Sequence, residues 1–563
     1  MSQSRQRRRR HAVGDGKGNA EMERFRELPH VPVRERTFGR MLSRKAAENG
    51  DRTYLIFEGR HFSYREVDAI TTRIANALAA RGIRKGDHVG LLLDNRPELL
   101  WVYFALAKLG GVSVPINTAA KGELLSYFVN QSDAVAMIVE TTYVERYLAV
   151  QAECPRVGWA AVVDEAGATP KDARFTVPAF DFRELEKGTD TPIDADVKFN
   201  DPFGLFYTSG TTGPSKGNIF THCNALTGPL ARVEFFGYQR DDVLYVCLPL
   251  FHGNALFGGC IPGLVGDCTV ALSRRFSASN FWKEVRAVGA TKFNLLSAMV
   301  NILWSQPPSA DDNDGILRQT TMVPIPEFGL EFAKRFNLQL TSVYALSDYG
   351  NATVLPPGFP PEKFRSAGQP RPQMQVKILD DDDLEVPTGE IGEICLRANE
   401  PWIAAQGYYN MPEATLKSYR NLWFHTGDRG YFDADGYLYF ADRKKDAMRR
   451  RGENVSSWEV ERIMAKHPAI EEVAVFAVRA EMTEDEIMAT VVRRPGTEIE
   501  FAELVRFCQA NMAYFMVPRF IEIVDDLPKT LTQKVQKFRL QQSAQERLPT
   551  IWDREKAGIK VTR

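Results

Sequence analysis

The segment Tyr-Thr-Ser-Gly-Thr-Thr-Gly-Pro-Ser-Lys-Gly occupies positions 207–217 and carries the strongest local signal in the chain. It follows an apolar run at 203–206 that is typical of a buried strand. Its glycines let the backbone approach an anion closely, and its amides, hydroxyls and ammonium group can donate to phosphate oxygens. It is not a Walker A loop, because Ser215 precedes Lys216 instead of following it. A polar surface loop rarely combines these features, so the segment predicts a phosphate-binding loop.

Helix and strand patterns alternate on the N-terminal side of this loop. Ser63 and Glu66 have the spacing of a capping box before a helix over 67–81. Strands are predicted at 88–93 and 112–116, with a helix between them. A strand–helix–strand rhythm is typical of parallel sheets covered by helices, so the sequence predicts an α/β fold.

The pattern changes after about residue 370. Short strands separated by turns are predicted at 375–379, 392–397 and 436–441, which indicates a small β-barrel-like part. A charged segment at 442–446 then precedes about a hundred residues of α+β pattern. We therefore expect a large N-terminal domain of parallel-sheet α/β subdomains and a small C-terminal α+β domain. The predicted divisions are a basic, disordered lead-in at 1–37, a large domain at 38–441, a boundary at 442–446, a small domain at 447–545 and a tail at 546–563.

Composition narrows the class of protein. The 563 residues contain 71 Lys and Arg against 72 Asp and Glu, so net charge does not indicate a nucleic-acid binder. Hydrophobic residues make up 44% and charged residues 25%, which excludes wholesale disorder. None of the seven cysteines forms a Cys-x-x-Cys pair, so a zinc ribbon is disfavoured and a reducing cytosol is indicated.

Two stretches bear on location and partners. The arginines at 5–10 have no apolar segment after them, so we interpret them as a solvated tail and not as a secretory signal. The apolar stretch at 244–272 is interrupted by polar residues and prolines, which favours a buried core segment over a membrane span. The sequence predicts a cytoplasmic protein with no membrane span and no nucleic-acid partner, although the basic N-terminus keeps a non-catalytic nucleic-acid-binding protein as the alternative.

The phosphate loop, which we define as residues 207–217, resembles the signature of the adenylate-forming superfamily of acyl-CoA synthetases and related enzymes. One departure is Ser215, where the commoner residue is proline. Segments at 85–87, 95–98 and 114–117 fit the same superfamily, and the resemblance covers about 38–540. It implies a C-terminal domain that is mobile about a hinge at 442–446.

The resemblance implies which residues bind ATP, Mg²⁺ and CoA. The phosphates are expected at Thr208, Ser209, Gly210, Thr211, Thr212, Gly213 and Lys216. Tyr344 of Tyr-Ala-Leu-Ser-Asp is expected to stack on adenine, with Ser347 meeting phosphate. Asp348 is expected to hold Mg²⁺ with Thr208, although relatives have the longer Glu, and the glycine-rich strand that precedes it in many relatives is replaced by residues 319–324. Asp428 is expected to accept from the ribose hydroxyls, and Arg443 to contact ribose or phosphate.

Four more residues receive roles from the same resemblance. His252 in Leu-Pro-Leu-Phe-His-Gly is expected to line the acyl pocket, and Lys445 to serve as the hinge. Gly452 is expected to meet the pantetheine tunnel after domain rotation, and Lys534 to be the catalytic lysine.

The resemblance implies an acid–thiol ligase that converts a carboxylic acid into an acyl-adenylate and then into an acyl-CoA. The chain is most similar to the crotonobetaine/carnitine-CoA ligase-like group. The expected pocket lining is mostly apolar, which favours a hydrophobic acyl or aryl-alkanoic acid over carnitine: Phe235, Phe236, Phe251, His252, Phe257, Ser297, Ala298 and Met299. A ligase that loads a carrier-protein thiol and a luciferase-type oxygenase stay as alternatives. The sequence leaves the oligomeric state open, a homodimer included.

Overall fold

The structure is a computed structural model of the full chain. It describes residues 31–164, 174–208, 214–313, 315–443, 447–450, 453–479, 485–528 and 535–561. The arginines at 5–10 lie outside these ranges, so their role stays a prediction.

Strands occur along most of the described chain. In chain order they are β1 Thr53–Phe57, β2 Arg60–Ser63, β3 His88–Leu92, β4 Val112–Pro115, β5 Ala136–Glu140, β6 Trp159–Val163, β7 Ala179–Asp181, β8 Pro202–Thr208, β9 Lys216–Thr221, β10 Val243–Val246, β11 Thr269–Leu272, β12 Lys292–Leu296, β13 Gln319–Val323, β14 Gln339–Leu346, β15 Gly350–Leu355, β16 Gln369–Pro370, β17 Met374–Leu379, β18 Gly392–Ala398, β19 Tyr419–Arg420, β20 Trp423–Phe432, β21 Leu438–Arg443, β22 Ala447–Arg450, β23 Glu453–Ser456, β24 Ile470–Arg479, β25 Asp485–Arg493, β26 Phe520–Val524 and β27 Trp552–Asp553.

Helices separate most of the parallel strands. They are α1 Phe38–Asn49, α2 Tyr64–Ala80, α3 Pro97–Leu109, α4 Glu123–Gln131, α5 Val144–Leu148, α6 His222–Phe235, α7 Gly253–Ala255, α8 Ile261–Val265, α9 Phe281–Ala287, α10 Ser297–Trp304, α11 Gly329–Phe336, α12 Pro412–Ser418, α13 Ser457–Met464, α14 Phe501–Asn511 and α15 Lys537–Arg547. A π-helical turn at Leu256–Cys260 joins α7 to α8, and the shorter 3₁₀ turns are Val33–Glu35, Thr141–Tyr143, Gln151–Glu153, Phe182–Lys187, Ala310–Asn313, Pro361–Lys363, Tyr514–Met516 and Leu548–Thr550.

Two large sheets form the N-terminal part. One has the strand order β7-β6-β5-β3-β4-β8-β9, and the other has the order β16-β15-β14-β13-β12-β10-β11-β1-β2. Most pairs are parallel, and antiparallel pairs stand at the ends, as β8 with β9 and β14 with β15. Every residue of α3 is buried except Glu98, as expected for a helix covered on all sides. These parallel sheets confirm the predicted α/β fold.

Local sequence signals explain where several elements begin and end. The capping box before α2 is present, because Ser63 Oγ accepts from the Glu66 amide and the Glu66 carboxylate accepts from the Ser63 amide. The helix α3 begins at Pro97 and ends at Gly110, which has the left-handed conformation. The apolar stretch 244–272 is divided between two strands and short helices, and no helix of the described residues is both long and apolar enough to cross a bilayer.

Smaller sheets follow the two large ones. Strands β17, β18, β20 and β19 form an antiparallel sheet, and β21 pairs with β20. The elements from residue 447 onward, which we call the C-terminal unit, contain the hairpin β22–β23 and the sheet β24-β25-β26-β27. One buried apolar cluster joins it to the large sheets, since it contains Val114 and Leu125 together with Met512 and Phe515.

The expectation of a tail at 546–563 is wrong for the described residues of that range. Strand β27 pairs with β26, and the Trp552 ring stacks on Phe501 at 4.7 Å between centroids. Arg519 donates to both Asp553 carboxylate oxygens, at 3.1 and 3.0 Å. The charged composition suggested a tail, but the partly buried Trp552 and the buried Asp553 complete the C-terminal sheet.

Candidate active site

The phosphate loop connects strands β8 and β9, which form an antiparallel hairpin with Thr208 opposite Lys216. Residues 209–213, which include Ser209, Gly210, Thr211, Thr212 and Gly213, lie outside the described residues. Lys216 Nζ lies 4.6 Å from the centroid of the Tyr408 ring. Burial lowers the pKa of Lys216, and the nearby Asp348 carboxylate opposes that shift. The two ends of the loop therefore present a hydroxyl and a partly desolvated ammonium group to the same region.

Asp348 stands at the centre of this region. It lies with Ser347 in the turn between β14 and β15. Its Oδ1 accepts a hydrogen bond from Thr208 Oγ1 at 3.1 Å and another from the Tyr408 hydroxyl at 2.8 Å. The structure thus brings together Thr208 and Asp348, which are 140 residues apart in the sequence. A hydroxyl and a carboxylate are oxygen donors that suit Mg²⁺, so the residues present fit such an ion.

The sequence analysis missed Tyr408. Its segment pairs with β9, since the Ile219 amide donates to Gly407 O at 3.0 Å and the Tyr409 amide donates to Gly217 O at 2.8 Å. Gly407 has a φ of 105°, which places the chain in a conformation that favours glycine. The sequence did contain one signal for Tyr408, the run Gly-Tyr-Tyr at 407–409, which lies outside any predicted strand. A tyrosine that becomes buried needs a hydrogen-bond partner for its hydroxyl.

A second pair lies between the large sheet and the smaller antiparallel one. The Tyr344 hydroxyl donates to Asp428 Oδ2 at 2.7 Å, and both residues are buried. Asp428 and Arg443 are directly opposite each other in the β20–β21 ladder. The residues expected at adenine and ribose are therefore adjacent. Residues 319–323, which replace a glycine-rich segment, still form a strand of the nine-stranded sheet.

The expected acyl-pocket residues separate into two groups. Phe235 and Phe236 belong to a small buried cluster with Val343 and Val354, and Phe257 stacks on the Phe220 ring at 5.3 Å. These rings pack against other apolar side chains. Phe251 and His252 are partly exposed and adjacent, with ring centroids 4.6 Å apart.

Close to these residues lies a buried cation that the sequence did not indicate. The guanidinium of Arg232, on α6, donates to the Tyr238 hydroxyl at 3.0 Å and to Asn294 Oδ1 at 2.7 Å, and also to Thr321 Oγ1. A Cβ added at Gly258 would lie 3.9 Å from Arg232 Nη1, so this cation borders the π-helical turn that follows His252.

His252 also contacts the C-terminal unit. Its Nε2 lies 2.8 Å from Glu453 Oε2, at the start of strand β23. Burial opposes protonation of the ring, but the Glu453 carboxylate more than offsets it and raises the pKa of His252 above its usual value. The structure therefore places the segment that follows Gly452 directly against the His252 motif.

Two further polar contacts join the C-terminal unit to the N-terminal part. Glu459 on α13 accepts from the Ser215 amide at 2.7 Å and from the Ser215 hydroxyl. Arg462 on the same helix and Lys466, just beyond its end, both donate to the Glu123 carboxylate on α4. Lys445, Gly452 and Lys534 lie outside the described residues, as does the side chain of Arg443.

Comparison with known proteins gives the family. The family of AMP-binding enzymes matches residues 42–409, and the C-terminal domain of AMP-binding enzymes matches residues 459–534. A crotonobetaine/carnitine–CoA ligase from Salmonella heidelberg is 32% identical over 501 residues, which are 87% of this chain and 96% of the relative. The fold and the paired motifs define an adenylate-forming enzyme. The chain belongs to the AMP-binding enzyme family, as the sequence predicted.

Solved structures of one enzyme resemble the chain to different degrees. A double mutant of o-succinylbenzoate CoA synthetase from Bacillus subtilis, bound with its product analogue OSB-NCoA, is 26% identical with a TM-score of 0.76, covering 89% of this chain and 98% of its own. The same enzyme in complex with its acyl-adenylate intermediate, OSB-AMP, gives a TM-score of 0.62 at 26% identity, with 89% and 97% covered. The chain therefore superposes more closely on the complex with the product analogue than on the complex with the acyl-adenylate.

Proposed function

We propose that this protein is an ATP-dependent acyl-CoA synthetase. In the first step an oxygen of the substrate carboxylate attacks the α-phosphorus of ATP, and pyrophosphate leaves. In the second step the thiolate of CoA attacks the acyl carbon, the bond from that carbon to the phosphate oxygen breaks, and AMP leaves. The observation that carries the proposal is the convergence of Thr208, Asp348 and Lys216 beside the Tyr344–Asp428 pair.

The first step needs positive charge around the phosphates. Thr208 and Asp348 would hold Mg²⁺, which would neutralise charge on the phosphates when bound. Lys216 is positioned to donate to a phosphate oxygen, and its desolvation strengthens that interaction. Tyr344 and Asp428 would orient the adenine and ribose, and the resemblance assigns Lys534 to the transition-state charge.

The second step needs the C-terminal unit in another arrangement. The contact between Glu453 and His252 supports the assignment of the present arrangement to thioester formation, as does the greater similarity to the complex with a CoA product analogue. Lys445 would be the hinge and Gly452 would border the pantetheine. A rotation of this kind lets one site serve two reactions in turn.

For the acid, we propose a hydrophobic acyl or aryl-alkanoic substrate. Phe251 and His252 present an aromatic and partly exposed surface, and the buried cation Arg232 borders the turn at Leu256–Cys260 that follows them. A positive charge beside the pocket repels the trimethylammonium group of carnitine, because the repulsion between like charges is stronger where water is excluded than in bulk water. The cytoplasmic location stays a prediction.

A panel of acids tests this function. The purified protein is incubated with ATP, Mg²⁺ and CoA and with acetate, octanoate, palmitate, benzoate, 3-phenylpropanoate, crotonobetaine or carnitine. We expect AMP and a CoA thioester, detected by mass spectrometry, with octanoate, palmitate or 3-phenylpropanoate. Reactions without CoA or without acid are the controls. Formation of ADP, or a thioester with carnitine alone, would contradict the proposal.

A carrier-protein thiol is the competing acceptor. The same reactions with pantetheine in place of CoA distinguish CoA from a carrier protein as the acceptor. Pantetheine has the thiol arm that both acceptors share and lacks the nucleotide of CoA. Acyl-adenylate that accumulates equally with CoA and without it would favour the carrier-loading alternative.

A further inference from the structure

Glu459 and Ser215 form a buried contact across the boundary between the C-terminal unit and the phosphate loop. The exposed fraction is 7% for Glu459 and 3% for Ser215. Glu459 Oε1 accepts from the Ser215 amide at 2.7 Å and also from the Ser215 hydroxyl. The Ser215 carbonyl in turn accepts from the Tyr127 hydroxyl at 2.7 Å. The Ser215 amide and hydroxyl are therefore used in the contact between the two parts, while its carbonyl is bonded within the N-terminal part.

This contact depends on the residue at position 215. Proline, the commoner residue here in the enzymes that the loop resembles, has no backbone N–H and no hydroxyl. With proline the Glu459 carboxylate would lose both donors and would be buried without them. Serine supplies two hydrogen bonds to a charged acceptor, which are stronger than bonds between neutral groups.

We propose that Ser215 and Glu459 form a latch that holds the C-terminal unit in the arrangement that places Glu453 against His252. Glu459 is a positioning residue and not a catalytic one, because it contacts the loop and none of the reacting atoms. The assignment of this arrangement to the thioester-forming step rests on the proposed function. The latch joins the loop that binds ATP phosphates to the unit that must move between the two steps.

The charges around Glu459 make the latch sensitive to pH. Burial raises the pKa of Glu459 to about 7, and the two hydrogen bonds from Ser215 and the charge of Arg462 oppose that shift. The other ionisable groups that face it are Tyr127 on α4 and, through Arg462, Glu123 on the same helix. Once the parts separate, the carboxyl returns to water and to its ordinary pKa near 4.5.

The direction of the pH effect follows from this difference. We call the parts docked when Glu459 contacts Ser215 and undocked when they have separated. The docked arrangement binds the Glu459 proton more tightly, so docking becomes more favourable as the pH falls below about 7. Above that pH, Glu459 is docked as an anion and depends on the two donors of Ser215. A variant that lacks these donors should therefore undock most at high pH and dock again as the pH is lowered.

Spin labels measure the populations of the docked and undocked arrangements without any substrate. The seven cysteines of the chain are buried, so cysteines introduced at the exposed Lys283 and Glu471 can be labelled selectively. Double electron–electron resonance on the ligand-free enzyme then reports the distance between the two parts. For Ser215→Pro at pH 8 we expect the docked-to-undocked ratio to fall about tenfold or more, because hydrogen bonds to a charged group are lost. At pH 6 the docked population should recover.

Two matched variants isolate the cause. Ser215→Ala keeps the amide donor, so it should stay docked to a large extent at pH 8. Glu459→Gln removes the charge and keeps an acceptor, so its docked population should change less between pH 6 and pH 8 than that of the wild type, and His252, whose pKa Glu453 raises in the same arrangement, accounts for the change that remains. Thermal unfolding of each variant checks that the parts stay folded.

The outcomes are decisive in both directions. Identical distance distributions for Ser215→Pro and the wild type at pH 8 would overturn the latch, and equal undocking of Ser215→Ala and Ser215→Pro would overturn the role of the amide. Because the measurement needs no acyl-CoA formation, a failure of the latch appears here and a failure of the proposed function appears in the acid panel.

Discussion

At the scale of residues, the site depends on pairs that are far apart in the sequence. The Asp348 carboxylate accepts hydrogen bonds from the hydroxyls of Thr208 and Tyr408, and the Asp428 carboxylate accepts one from the hydroxyl of Tyr344. Each carboxylate is therefore held in place by a hydroxyl donor from another part of the chain. A substrate phosphate or ribose would meet acceptors and donors whose positions are already set, which is what electrostatic stabilisation of a transition state requires.

Asp348→Asn should weaken the expected Mg²⁺ site. The amide keeps an oxygen for Thr208 and Tyr408 but loses the charge that attracts the ion. Because changes around a metal ligand typically cost 10–100-fold in affinity or activity, we expect at least about a tenfold loss in acid-dependent ATP–pyrophosphate exchange. The control is Glu385→Gln, which neutralises an exposed carboxylate paired with Lys377. Unchanged dependence on Mg²⁺ concentration would remove Asp348 from this role.

Lys534→Ala should separate the two half-reactions. The resemblance places this lysine at the phosphates in the first step only, so acyl-adenylate formation should fall about 10²–10⁴-fold. Thioester formation from supplied acyl-adenylate and CoA should be close to that of the wild type. Lys537→Ala serves as a nearby control, since Lys537 pairs with Glu461. An equal loss in both half-reactions would show that Lys534 has another role.

The sequence predicted some of these residues and missed others for a physical reason. Thr208, Asp348, Tyr344 and Asp428 stand in local motifs, so the resemblance of those motifs to a known superfamily indicated them. The contacts of Glu459 with Ser215 span 244 residues and depend on how two folded parts meet. Local patterns contain no information on such a contact. Tyr408 was missed for the same reason, because its hydroxyl meets Asp348 only in the folded chain.

At the scale of elements, caps and turns made the α/β part predictable. The capping box at Ser63 and the proline and glycine that bound α3 act through neighbours in the sequence. Strand β27 has only two residues, Trp552 and Asp553, and gives no alternating pattern. Its pairing with β26 depends on Phe520 and Ile521, which are distant in the sequence, so composition alone suggested a tail.

Asp553→Ala should destabilise the C-terminal unit. The Asp553 carboxylate is bonded by Arg519, whose hydrogen bonds hold the pKa of Asp553 below its usual value against the effect of burial. Removing a partner of a charged hydrogen bond costs about 1.5–3 kcal/mol, so the free energy of unfolding should fall by that amount. Chemical denaturation monitored by tryptophan fluorescence measures it. Lys556→Ala, at an exposed position of the same segment, should change stability little, and an equal loss in both variants would contradict the role of β27.

At the scale of the whole molecule, the proposed reaction needs two parts that change their arrangement between its steps. Charge in the chain nearly cancels, yet the groups expected to bind anions are local, and Lys216 is one of them. The contacts of His252 with Glu453, Ser215 with Glu459, and Glu123 with Arg462 are polar. These polar contacts accompany the buried apolar cluster that joins the two parts, and polar contacts are more frequent in interfaces that separate and reform than in permanent ones.

The central claim is that the carboxylate is activated as an adenylate, and isotope transfer tests it most directly. The acid that reacts in the panel is supplied with both carboxylate oxygens as ¹⁸O, together with ATP and CoA, and the AMP is analysed by mass spectrometry. Attack on the α-phosphorus followed by thiolate attack on the acyl carbon leaves one carboxylate oxygen on the phosphate. We predict AMP that carries one ¹⁸O atom for each acyl-CoA formed; unlabelled AMP would contradict the account.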